Sequence, residues 1–222
     1  MNPKTKAALS SWILNLDSTN LFGKKDSPSI EELVRPGQLS ILDLSGFVHL
    51  RERQIVLTYF GRRMFEERRK KNIAPFILFV EEAHQFAPGI EERELAISRS
   101  LIEQIAREGR KFNACLVLIS QRPKRLSLTA LSQCNTQIIM RITNPIDIRH
   151  IEEGSEGITK DVVKLIPGLR VGEAIIVGEA VNYPILVKIR KRRSKSLERG
   201  EKLEDAINSF IQKEGEDVEA FL

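Results

Sequence analysis

Apolar residues along the chain gather into short, nearly continuous blocks: LSILDL at 39–44, FILFV at 76–80, CLVLIS at 115–120 and TQIIMRI at 136–142. Such blocks suit central strands of a parallel sheet covered on both faces, whereas a strand with one wet face alternates. Between the first two, RERQIVLTYFGRRMFEERRKK sets Val56, Phe60 and Met64 at helical spacing with arginines on other faces, which predicts an amphipathic helix. Between the second and third, EERELAISRSLIEQIAREGRKF carries a stripe of Leu95, Leu101, Ile102 and Ile105, with Gly109 as its stop. Strand, helix, strand, helix, strand is the order of an open parallel α/β sheet flanked by helices.

The flanks differ. EAIIVGEAVNYPILVKI holds two apolar runs around a turn-forming centre, which predicts a β-hairpin closing the sheet edge. LERGEKLEDAINSFIQK predicts a C-terminal helix with Leu197, Leu203, Ile207 and Ile211 as its contacts. Upstream, Ser29-Ile30-Glu31-Glu32 has the form of a capping box, and Arg35-Pro36-Gly37 reads as a turn into the first strand. The pattern divides the chain into a helical and turn segment (1–38), a main α/β domain (39–190), and a basic linker with helix and acidic tail (191–222).

Composition narrows the classes. A chain of 222 residues supports one substantial core with an appendage. No apolar run approaches the roughly 20 residues of a membrane-spanning helix, and MNPKTKAALSSW lacks a signal-peptide pattern, so a cytoplasmic protein with no membrane contact is expected. Cys115 and Cys134 lack metal-ligand spacing and read as small buried residues. The net charge of +5 is uneven: Lys188, Arg190, Lys191, Arg192, Arg193 and Lys195 form a basic run, while EGEDVEAFL is acidic. Such a run either neutralises nucleic-acid phosphates or forms a solvated linker.

Ligands of open α/β sheets bind beyond the carboxyl ends of the strands. Glu81 and Glu82 directly follow FILFV, Gln121 follows CLVLIS, and Asp43 and Ser45 end LSILDL. Because strand side chains alternate between faces, Glu81 and Glu82 share an orientation only if the backbone bends after Val80. The pair fits a Walker B element for ATP hydrolysis: Glu81 holds Mg2+ through water, and Glu82 orients or deprotonates the attacking water. Gln121 then hydrogen-bonds the γ-phosphate or that water. A surface helix start is the competing reading.

Arg107 and Arg110 read as helix-terminal cations, or as arginine fingers if they stand at a subunit boundary. His84, His49 and His150 read as isolated packing or helix-start residues. The phosphate-loop pattern G-x-x-x-x-G-K-[ST] does not occur. Its nearest imitation, Phe22-Gly23-Lys24-Lys25, has Ser18 in place of the first glycine and Lys25 in place of the hydroxyl residue, and reads as a turn.

VRPGQLSILDLSG, FILFVEEAHQFAP, IAREGRKFNACLVLISQRP, LSQCNTQIIMRITNP and GEAIIVGEAVNYPILVKI occur in this order between Leu33 and Ile189. In them the chain resembles the C-terminal half of the motor domain of HerA-type ATPases, DNA translocases of the HerA/FtsK superfamily. The resemblance implies a RecA-like fold of the P-loop NTPase, ASCE type. It also implies a hexameric ring around double-stranded DNA, with ATP and Mg2+ as cofactors and a NurA-type nuclease as partner. By position, Glu81 and Glu82 match the Walker B acids, Gln121 the sensor, and Arg107 or Arg110 the arginine finger. DNA contact falls to Arg122, Lys124 and Arg125, and to Lys188, Arg190, Lys191, Arg192 and Arg193.

Family members carry an upstream phosphate loop and an N-terminal barrel, so the fold is expected to be incomplete on its N-terminal side. The expectation is a Walker B, sensor and arginine-finger half that is inactive alone. The alternative is a non-enzymatic subunit that joins a complete ring, donates a finger or binds DNA.

Overall fold

In the computed structural model the described residues are 2, 5–6, 9–11, 13, 17, 28–89, 96–155, 157–194 and 207–208. The turn expected at Phe22-Gly23-Lys24-Lys25, Leu95 of the predicted stripe, and the C-terminal helix apart from Ile207 and Asn208 lie outside them. The chain divides into two compact units, 1–188 and 189–222, of which the first carries the sheets.

The capping box forms as read. Ser29 caps α1 (Ile30–Leu33), its hydroxyl accepting from the Glu32 N–H at 3.2 Å while the Glu32 carboxylate accepts from the Ser29 N–H at 2.9 Å. Pro36 and Gly37 then make a turn, with Gly37 at φ 75°, where a glycine is favoured.

LSILDL does not form the strand expected of it. Residues 39–44 are in no regular element, and Leu39 and Ile41 are 81% and 77% exposed. A strand exists only where a neighbouring strand takes its N–H and C=O groups, and among the described residues no strand pairs with this segment. Leu44 alone reaches the core.

Helix α2 (Leu50–Arg69) follows and buries Gln54, Leu57, Gly61, Met64 and Phe65, a stripe rotated from the Val56, Phe60 and Met64 expected. It leads to β1 (Phe76–Val80). Helix α3 (Arg99–Glu108) buries Leu101, Ile102 and Ile105 as its periodicity predicts, and delivers the chain to β2 (Ala114–Leu118). The two strands pair in parallel, Phe76 opposite Ala114 and Val80 opposite Leu118. Leu57 and Ile102 pack with Val80, while Leu78, Leu116 and Leu118 lie against the same cluster. Complete burial of a side chain such as Ile102 contributes about 1.5–3 kcal/mol.

The expectation that the strands are covered on both faces is corrected. Ile77 and Phe79 on the other face of β1 are 57% and 59% exposed. The same uncovered side explains Cys115, expected to be buried but exposed on β2. Gly109 also works differently from the expected stop. Its φ of −56° is helical, the chain continues as a 3-10 turn (Gly109–Phe112), and Asn113 takes the left-handed conformation. Glycine is needed at 109 for close approach, since a Cβ there would lie 2.2 Å from the Ala114 carbonyl oxygen.

After the short α4 (Leu128–Ser132) comes β3 (Thr136–Met140), which was expected in the parallel sheet. Instead it pairs antiparallel with β4 (Glu173–Gly178), which pairs antiparallel with β5 (Ile185–Lys188); the predicted hairpin forms, but in a separate sheet of order β3-β4-β5 and not at the edge of the β1–β2 pair as expected. Helices α5 (Pro145–Gly154) and α6 (Lys160–Leu165), capped by Asn144 and Thr159, close a second core of Ile139, Ile148, Ile151, Val162, Ile175 and Val177.

Candidate nucleotide site

The β1–β2 ladder extends one step past the strands. The Ile119 N–H donates to the Val80 carbonyl at 3.0 Å, and the Ala83 N–H donates to the Ile119 carbonyl at 2.8 Å. Between these bonds the backbone bends at Glu82, which sits left-handed at φ 50°, ψ 44° before the 3-10 turn Ala83–Gln85. For a residue with a Cβ this conformation is unfavourable by about 1–2 kcal/mol. The buried Ala83, Phe86 and Ala87 hold the turn in place. The sequence requires such a bend if both acids are to serve one site, and it occurs one residue beyond Glu81.

The turn brings Glu82 to Gln121. The Gln121 amide donates to Glu82 Oε1 at 3.0 Å, joining the residues that follow the two parallel strands. The second carboxylate oxygen, Oε2, lies 3.3 Å from His84 Nδ1, and the same nitrogen lies 3.0 Å from Ser120 Oγ. His84, read from the sequence as an isolated packing residue, thus stands between the acid and Ser120, within ion-pair distance of the one and hydrogen-bond distance of the other. Its position two residues after Glu82 was the available signal, but a 3-10 turn was needed to bring it round.

Glu81 stands exposed at the same turn. No group of three or more His, Cys, Asp or Glu that could hold a metal occurs among the described residues. A Mg2+ ion of a phosphate-transfer site takes one or two carboxylates and completes its shell with phosphate and water, so Glu81 fits that donor set. In the segment before α2, Asp43 Oδ1 accepts from the Ser45 N–H at 2.9 Å, and Leu44 packs against the core cluster that includes Val80 and Ala83.

Behind the site, Arg99 is buried and ties the segment after the acids to α3 and α4. Its guanidinium donates to Glu103 at 2.8 Å and to the carbonyls of Pro88 and Gly89 at 2.7 and 3.0 Å, and the Ser127 hydroxyl donates to the same Glu103 oxygen.

Arg107 and Arg110 stand elsewhere. They precede β2, whereas Glu82 and Gln121 follow β1 and β2, so the length of a five-residue strand, about 16 Å, separates the two groups. Arg107 lies 4.0 Å from Glu103, and the more exposed Arg110 lies 3.8 Å from Glu179. Both pairs are long, Glu103 is already held by Arg99 and Ser127, and the Arg110–Glu179 pair is exposed on both sides, which leaves the guanidiniums weakly committed.

Arg122, Lys124 and Arg125 are exposed on the loop that continues from Gln121, so they share the sheet edge of the acids. Lys188 is exposed at the end of β5; Arg190, Lys191, Arg192 and Arg193 are exposed within the second unit. The shifts in acidity that are resolved lie away from these residues: hydrogen bonds from Lys70 and Asn72 lower Glu67, the Glu67 partner raises Lys70, and burial raises the Cys134 thiol.

The acidic pair and the amide thus meet beyond the carboxyl ends of a parallel α/β core, where ligands of such sheets bind. The fold is similar to that of the genome packaging NTPase B204 from Sulfolobus turreted icosahedral virus 2, solved in complex with ATP-gammaS, with a TM-score of 0.56 and 13% identity over 75% of this chain and 74% of that one. The fold is therefore RecA-like α/β. No family model matches the chain. It is 34% identical over 195 residues to the DNA double-strand break repair helicase HerA of Pyrococcus furiosus, across 73% of this chain and 35% of that protein. It is 37% identical over 172 residues to the protein of the same name from Saccharolobus solfataricus, across 73% of this chain and 33% of that one. The chain belongs to the HerA-type ATPase family and spans about a third of the length of these relatives.

Proposed function

We propose that this chain supplies the Walker B, sensor and arginine-finger half of a HerA-type ATPase that moves along double-stranded DNA. The observation that carries the reading is the bond between Gln121 and Glu82 at the carboxyl ends of two parallel strands, the sheet edge at which ligands bind. In this reading Glu82 orients the attacking water and accepts its proton. Gln121 holds the carboxylate until a γ-phosphate competes for its amide. Glu81 would hold a Mg2+ ion through water, and the ion when bound offsets charge on the transferring phosphate.

The separation of Arg107 and Arg110 from Glu82 favours action on a neighbouring subunit's nucleotide, which calls for a ring. Arg122, Lys124, Arg125, Lys188 and the run Arg190 to Arg193 contact DNA phosphates and are blind to base sequence. The 222 residues contain no G-x-x-x-x-G-K-[ST], and the amide cradle and lysine of that loop supply much of the grip on the β- and γ-phosphates. The chain by itself is therefore expected to bind ATP weakly and to turn it over slowly or not at all. The uncovered side of β1, with Ile77 and Phe79, is consistent with further polypeptide packing there.

The test is reconstitution with a phosphate-loop segment from a HerA-type relative, followed by measurement of DNA-stimulated ATP turnover. Activity should appear on mixing and fall by about 100-fold or more with Glu82→Gln. A rate indifferent to Glu82→Gln would refute the catalytic reading and favour a non-enzymatic ring subunit.

A further inference from the structure

We propose that His84 is a positioning residue that fixes the Glu82 carboxylate to the sensor strand. The inference rests on the reading of Glu82 as the water-orienting acid. His84 is 7% exposed. Its Nδ1 faces two oxygens, Ser120 Oγ at 3.0 Å and Glu82 Oε2 at 3.3 Å. An unprotonated Nδ1 would set its lone pair against the carboxylate, so the proton resides on Nδ1 and is shared between the two oxygens. Ser120 is itself oriented, because its Oγ accepts from the Arg122 N–H at 3.1 Å.

The consequence concerns both carboxylate oxygens. Gln121 holds Oε1 at 3.0 Å and His84 holds Oε2, so neither can swing independently of residues 120–122. When nucleotide draws the Gln121 amide away, the histidine contact remains and keeps the acid aimed. The buried imidazole thus links the left-handed turn at Glu82 to the residues that respond to nucleotide. In metal sites a partner that orients a ligand through a hydrogen bond is worth about 10–100-fold in affinity or activity, and a loss of that order is expected here.

Two measurements test this. In the full chain labelled with 15N-histidine, long-range nitrogen–proton spectra should show His84 protonated on Nδ1, and Glu82→Ala should shift its nitrogen signals. A ring protonated only on Nε2 and unmoved by Glu82→Ala overturns the proposal, whether or not the protein hydrolyses ATP. In the reconstituted ATPase, His84→Phe, which fills the buried site without an N–H, should lower kcat by about 10–100-fold with KM within twofold. His84→Asn, whose amide places a donor near the Nδ1 position, should recover most of that activity. Wild-type kcat in His84→Phe, or an equal reduction in both variants, overturns the positioning role. Absence of turnover in the reconstituted wild type counts against the catalytic reading alone, and the spectra still decide the contact.

Discussion

The Gln121 amide donates to the Glu82 carboxylate across 3.0 Å, although 39 positions separate the two residues in the chain. Parallel pairing of β1 with β2 brings them together, since Glu82 lies two residues past Val80 and Gln121 three past Leu118, the last pair of the ladder. The pair is built on an unfavourable backbone conformation at Glu82, which makes the site's geometry testable through stability as well as activity.

Glu82→Gly should stabilise the fold by about 1 kcal/mol, because glycine adopts φ 50° without a Cβ clash. Part of that gain is offset by the greater freedom of glycine in the unfolded chain. Urea unfolding of the two proteins measures the difference. A variant that is more stable and lacks turnover on reconstitution is the expected outcome; a less stable one would show that the left-handed turn carries no strain.

Gly109→Ala should destabilise the chain by about 3 kcal/mol, because the added carbon would meet the Ala114 carbonyl oxygen at 2.2 Å, and that oxygen is backbone. Thermal unfolding should show a lowered midpoint. Equal stability would mean that the junction between α3 and β2 can relax, contrary to the packing of Ile105 and Ala114 in one cluster.

Arg107→Ala and Arg110→Ala, each made separately and reconstituted, should identify the finger by a fall of about 1000-fold or more in the turnover of one of them. Mixing that variant with Glu82→Gln subunits should restore turnover, because some interfaces then combine an intact acid with an intact arginine. Silence of the mixture would place acid and arginine in one subunit's site, against the strand length that separates them.

Replacing Arg192 and Arg193 by alanine should weaken duplex DNA binding and reduce the slope of log affinity against log salt by about 2, one for each phosphate that is no longer neutralised. The weakening should be the same on unrelated DNA sequences. An unchanged slope would assign these residues to a solvated linker.

Features governed by neighbours along the chain were legible in the amino-acid sequence. The capping box at Ser29, the turn at Gly37, the apolar stripe of α3, the strands β1 and β2 and the hairpin of β4 and β5 all follow from local spacing and backbone preference. The position of Glu81, Glu82 and Gln121 at strand ends follows in the same way. Tertiary structure decided whatever depends on distant neighbours. LSILDL has the composition of a strand but no strand pairs with it among the described residues, β3 pairs antiparallel with a strand from much later in the chain, and the outer side of β1 is left exposed. The left-handed turn at Glu82 and the burial of His84 beside it belong to this second group. Neither residue prefers that state by itself; the packing of Ala83, Phe86 and Ala87 imposes it.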